Sequence, residues 1–213
     1  MLHIKHLIIW NMKSYIFAFV AFAGLSIYSC DSRSQLGKEI AGDWQGAMER
    51  MENVQEAETQ LMENISFMPD NGNLMGSFIL TGMGDVTNVP MFDNEVMATV
   101  SRAIAFTSSI QGTYKVIDDD EVSLMFDFKS LNVSVDTSDV ASDVNILGGV
   151  AYPSSARVNP QLCGIVKSQL TAALKSRYSG MGLLDDVKVK DGVMKLEIGK
   201  KDLVFHRQNQ VGL

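Results

Sequence analysis

Short runs in which apolar and polar residues alternate recur along most of this chain. In a strand, successive side chains point to opposite faces, so each run predicts a strand with one buried face. The first starts at Gly42-Asp43-Trp44-Gln45-Gly46-Ala47-Met48, and residues 52–58, polar and acidic, read as a loop or a lengthened hairpin. Leu61, Ile65 and Phe67 alternate with polar partners in a second strand, and Leu74, Gly76, Phe78 and Leu80 share one face of a third. Between them, Pro69-Asp70-Asn71-Gly72 has the composition of a tight turn. Residues 81–98 carry Gly82, Gly84, Pro90, Asp93 and Asn94 and read as a long loop, with a short strand near 96–100. Strands resume through Ile104, Phe106, Gln111-Gly112-Thr113-Tyr114 and Val116, turn at Asp118-Asp119-Asp120, and continue in the alternation of Val122, Leu124, Phe126 and Phe128. Leu131, Val133 and Val135 extend that strand or start its neighbour, and residues 137–155 read as a loop.

The period then changes. Asn159-Pro160 opens a helix over 159–178, because asparagine caps free N–H groups and proline suits the first helical position. Leu162, Ile165, Val166, Leu170, Ala173 and Leu174 form its apolar face, Lys175 and Arg177 favour the negative end of its dipole, and Gly180 ends it. Three short strands follow at 187–190, 193–198 and 203–207. The pattern predicts a mainly β domain over residues 39–209, an antiparallel sheet with one late amphipathic helix, packed on the outside or end of the sheet. Closing such a sheet into a barrel removes its exposed edges.

A different pattern precedes the domain. Lys13 is followed by an apolar and small-residue run from Tyr15 to Ile27, and then by Tyr28-Ser29-Cys30. A positive segment, an apolar core and a small residue before a cut are the layout of a secretory signal. The run is shorter than the ~20 residues that a membrane span needs. With cysteine directly after the small residue, the stretch resembles the lipobox of bacterial lipoproteins. That resemblance implies a signal peptide over 1–29, lipidation of Cys30 (palmitate among the acyl groups), a tether over 30–38 and anchoring in the cell envelope, at the outer membrane. Met12 is an alternative start to Met1.

Removing residues 1–29 leaves 184, enough for one domain with a real core. All 25 acidic residues lie in that part, against 16 of the lysines and arginines, giving a net charge of −9. An acidic surface with no basic cluster argues against nucleic acid, so membrane contact is expected through the lipid alone. Cys163 is the one cysteine besides Cys30, which excludes an internal disulfide if Cys30 is lipidated.

Gly42-Asp43-Trp44 at the start of the first strand and Arg207 in the last resemble the pattern of lipocalins and the wider calycins. The resemblance implies a barrel of the kind found on Gram-negative lipoproteins, with Trp44 closing its base and Arg207 packing across the ring. The late helix followed by three strands departs from the lipocalin order, in which one strand follows.

Little chemistry is visible. His206 is the one histidine after Cys30 and reads as a residue on a strand face. No nucleophile motif, phosphate loop or zinc-ligand set accompanies it. The expectation is therefore no enzyme, no cofactor and no metal. Asp136, Asp139 and Asp143 are the carboxylates best placed for calcium, but without an EF-hand spacing. Met48, Met51, Met62, Met68, Met75 and Met83 suit either an adaptable apolar pocket or core gap-filling. Two functions remain open. The barrel takes a small apolar or amphipathic ligand in its mouth, or it is filled and serves as an interaction or assembly subunit with an envelope protein.

Overall fold

In the computed structural model of the protein, the described residues are 32–51, 58–87, 89–93, 96–100, 103–136, 143–146, 152–153 and 160–208. Eight strands close an antiparallel barrel: β1 (Gly42–Met51), β2 (Glu58–Pro69), β3 (Met75–Thr87), β6 (Ile104–Val116), β7 (Val122–Val135), β10 (Leu183–Lys190), β11 (Val193–Ile198) and β12 (Lys201–Arg207). Their order around the barrel is β1-β12-β11-β10-β7-β6-β3-β2, and β1 pairs with both β12 and β2. This architecture is compatible with a lipocalin-like fold. Four short strands, β4 (Val89–Asp93), β5 (Val96–Val100), β8 (Asp143–Ile146) and β9 (Tyr152–Pro153), form a second sheet in the order β4-β5-β8-β9.

Three regions differ from the sequence reading. The expected loop at 81–98 is mostly strand: β3 runs on to Thr87, and β4 follows before β5. Gly82 and Gly84 do not break β3; they let it approach its neighbours. A Cβ at Gly82 would strike Ser108 Oγ, and one at Gly84 the Gln60 carbonyl. Residues 137–155 likewise contain β8 and β9. In the expected tether, residues 32–40 are helical (α1), with Leu36 and Ile40 buried against the barrel. Their spacing of four puts both on one helix face, so the sequence there is amphipathic despite its polar bulk. Gly42, at φ +105°, turns the chain from α1 into β1, a conformation costly for other residues.

The late helix α2 spans Pro160–Ser179; Asn159, its expected cap, lies outside the described residues. Its buried stripe is Cys163, Val166, Leu170, Leu174 and Tyr178. Ile165, expected on the apolar face, is 52% exposed, and the side chain of Leu162 lies outside the described residues. The position of α2 follows from unequal strand lengths. β2, β3, β6 and β7 have 12 to 14 residues, whereas β10, β11 and β12 have 6 to 8. β10 meets β7 over only two residue pairs, Leu183–Ser123 and Leu184–Val122. Beyond them the inward face of the long strands would be bare, and α2 packs there against β7.

The inward faces carry Leu61, Ile65 and Phe67 from β2, Phe78 and Leu80 from β3, and Ile104, Phe106 and Ile110 from β6, all buried. A series of ring contacts crosses this interior. Tyr178 of α2 stacks on Phe126 at 5.5 Å and 7°, Phe126 meets Phe78 edge-on at 5.0 Å, and Phe67 links Phe78 to Tyr114.

Leu170, fully buried, tests the role of α2. Leu170→Asp puts a charge into apolar contact and should cost on the order of 3–5 kcal/mol. Ile165→Asp, on the exposed side of the same helix, should stay within about 0.5 kcal/mol. Urea unfolding of both variants measures the contrast, and equal effects would contradict this packing.

Candidate functional site

Two polar constellations interrupt the apolar packing. The first sits where the barrel closes. Trp44 and Arg207 are Cα partners in the β1–β12 ladder, and the Arg207 guanidinium lies over the Trp44 ring, 4.3 Å from its centroid. Trp44 is fully buried, and its indole Nε1 donates to the Ile40 carbonyl at 2.7 Å. Arg207 Nη1 donates to Ala41 O at 2.9 Å and Nη2 to Glu39 O at 2.7 Å. Three successive carbonyls at the C-terminal end of α1 are therefore satisfied by the two residues of the seam. These are the carbonyls that a helix end leaves unpaired, and a cation is favoured there. The same two side chains join first strand to last and dock α1 beneath them.

The second constellation lies inside the barrel. Glu63 occupies an inward position of β2 between Leu61 and Ile65 and is 5% exposed. Arg177, near the end of α2, reaches it with Nε 3.1 Å from both carboxylate oxygens and with Nη2 on Oε2. Nη2 also donates to Glu49 at 3.1 Å, and Lys201 donates to the same Glu49 oxygen at 2.8 Å. Burial pulls the Arg177 guanidinium down, but Glu63 and Glu49 outweigh it and hold it above its ordinary range. Arg177 therefore remains charged. Beside it, burial and then the Glu63 carboxylate push the Tyr178 hydroxyl up. The Tyr178 hydroxyl is buried beside Ser108 Oγ and the Glu63 carboxylate. A cavity of about 10 Å³ lies between Glu63, Arg177 and Phe205, about the volume of one water position.

Cys30 lies outside the described residues. Trp44 and Arg207 are brought together; His206 sits exposed on β12, opposite Gln45 and Val193. Cys163 lies on the buried face of α2, and burial pushes its thiol up. Of the calcium candidates, Asp139 lies outside the described residues. Among the described residues, no three or more His, Cys, Asp or Glu side chains are grouped to hold a metal. Met51 is buried, but Met48, Met68, Met75 and Met83 are exposed rather than in the core, and Met48 lines a surface groove with Arg50 and Glu58.

Sequence reasoning missed the Glu63–Arg177 pair. Arg177 reads as an ordinary helix-end cation, and Glu63 as one polar residue among several. The available signal is period two: Glu63 falls on the same face as Leu61, Ile65 and Phe67, where an acid needs a partner. No protein-family model matches this chain, and no curated protein is significantly similar to it.

Two outcomes follow from this geometry. In a double-mutant cycle, Trp44→Phe and Arg207→Lys should couple by ~0.5–2 kcal/mol, since lysine keeps the charge but loses the planar stack and fork. Coupling near zero in chemical denaturation would mean that the contact contributes nothing.

The second concerns Tyr114, 2% exposed, whose hydroxyl has no hydrogen-bond partner among the described residues. Burial, and then Asp70, push it up from 10.0 to about 12. Above pH 10 the unfolded chain releases this proton while the folded protein keeps it, so stability falls from pH 10 toward 12. Below pH 10 the contribution is fully present. Tyr114→Phe should flatten that decline, as read by unfolding midpoints across the alkaline range.

Proposed function

We propose that this protein is a lipid-anchored lipoprotein of the bacterial cell envelope, in which a lipocalin-like barrel with a filled interior acts as an interaction or assembly subunit. The observation that carries the filled-barrel reading is Arg177 on Glu63. In a calyx, the interior opposite the mouth is left free for a ligand. Here that space holds a helix-borne guanidinium, a buried carboxylate and the ring series from Tyr178 to Tyr114. The described cavities of a few hundred Å³ are surface grooves. One of about 430 Å³ runs between α1 and β10, lined by Gln35, Leu36, Glu39, Asp119 and Val187. A subunit of this kind works through its outer wall, which carries exposed Met48, Met83, Met125 and Val204. Adaptable thioethers suit protein contacts.

Anchoring rests on the apolar run that ends in Ser29-Cys30. On this reading Cys30 becomes the first residue of the mature chain, and the acidic domain makes no electrostatic grip on anionic lipid.

Both parts are tested with protein extracted in detergent from its own host. Native mass spectrometry should show a stoichiometric protein partner and no retained small molecule. A bound apolar ligand without a protein partner would favour the calyx instead. Cys30→Ser should abolish labelling by a palmitate analogue and release the protein from membranes. Equal labelling and retention in the variant would overturn the anchor.

A further inference from the structure

Three methionines form a row across the outer wall. In the β1–β2 ladder Met48 is opposite Met62, and in the β2–β3 ladder Met62 is opposite Met83. Residues directly opposed in an antiparallel ladder have Cβ atoms about 4.5–5.5 Å apart, well within the reach of methionine side chains. The row depends on an irregularity. Between Gln45 and Met48 the β1–β2 register shifts by one residue. An unshifted ladder would put Ala47 opposite Met62 and break the row. The shift also brings Glu49 opposite inward-facing Leu61, toward Arg177.

All three side chains belong to the outward face of their strands. Met48 is 50% exposed and Met83 46%, while Met62, between them, is half-buried. Gln45 Nε2 donates to Met62 Sδ at 3.3 Å, so the central thioether presents its lone pairs to the polar outer surface. The nearest cation along β1 is Arg50, which pairs with Glu58 at 3.6 Å.

We propose that Met48, Met62 and Met83 form a surface site for a soft monovalent cation, Cu(I) or Ag(I), held by three thioether sulfurs. Hard cations take oxygen ligands, and zinc takes thiolate or imidazole; thioether donors select Cu(I). Three flexible side chains on adjacent strands supply a trigonal set without moving the backbone. On binding, the Gln45 amide gives up its hydrogen bond to Met62. Thioethers carry no proton to lose, so the site binds equally at pH 5 and pH 7, unlike one built from cysteine or histidine. The site is independent of the envelope reading.

The test uses the full chain with Cys30→Ser and Cys163→Ser, which removes both thiols. Cu(I) is titrated anaerobically in competition with a bicinchoninate chelator. The expected result is one tightly held equivalent, a first shell of sulfur alone by X-ray absorption, and the same affinity at pH 5 and 7. Met62→Leu should lower the affinity at least tenfold, and Met83→Leu gives the same reading should the first variant fold poorly. Met75→Leu, exposed at the start of β3 and away from the row, should leave the Cu(I) affinity unchanged. No retention against the chelator, a nitrogen or oxygen shell, or an equal loss in Met75→Leu would each overturn the site.

Discussion

A carboxylate on the apolar side of a strand is costly unless it is paired or takes up a proton. Glu63 is that carboxylate, and Arg177 is its partner from a helix 114 residues further along the chain. The pair therefore fixes where the end of α2 must lie. Once Arg177 is at Glu63, the adjacent Tyr178 falls on Phe126, and Leu170 and Leu174 fall on the bare overhang of the long strands. A buried ion pair is weak grounds for net stability, because desolvation offsets much of the attraction. Its effect here is on arrangement: without Arg177 the Glu63 carboxylate is left in the interior with no cation beside it, so alternative placements of α2 are penalised.

The barrel is held by seams of unequal strength. Along β2, β3 and β6 the ladders are long and continuous. Between β7 and β10 two residue pairs remain, supplemented by the Leu124 N–H on the Gly182 carbonyl and the Val187 N–H on that of Asp120. At β1–β12 three pairs remain, and there the Trp44–Arg207 stack and the α1 carbonyls add what the ladder lacks. Side chains and helices reinforce the barrel where its backbone pairing is shortest.

Much of the barrel was legible because period two is a backbone property. The alternations at 61–67 and 122–128 and the three closing strands follow directly from it. The β3 extension was hidden because Gly82 and Gly84 resemble loop residues, while their purpose is close approach to strands distant in sequence. Helix α1 was hidden by the many polar residues among 31–38, although Leu36 and Ile40 carry the periodic signal. The inward Glu63 was visible as a position but not as a pair, since no local pattern links it to Arg177. The methionine row depends on a one-residue register shift, which alternation alone does not reveal.

The contact between Trp44 and Arg207 spans 163 positions of chain. Loop-closure entropy grows as the logarithm of length, so joining these ends costs roughly 3 kcal/mol more than closing the five-residue connection between β2 and β3. The long hairpins of β2, β3, β6 and β7 can therefore form early, while the β1–β12 seam waits for almost everything else. Until it forms, β1 has an unpaired edge, and such an edge is a template for pairing with another chain. The vulnerable species of this protein is a nearly complete sheet with one open side, and its lifetime is set by how quickly the last strand arrives.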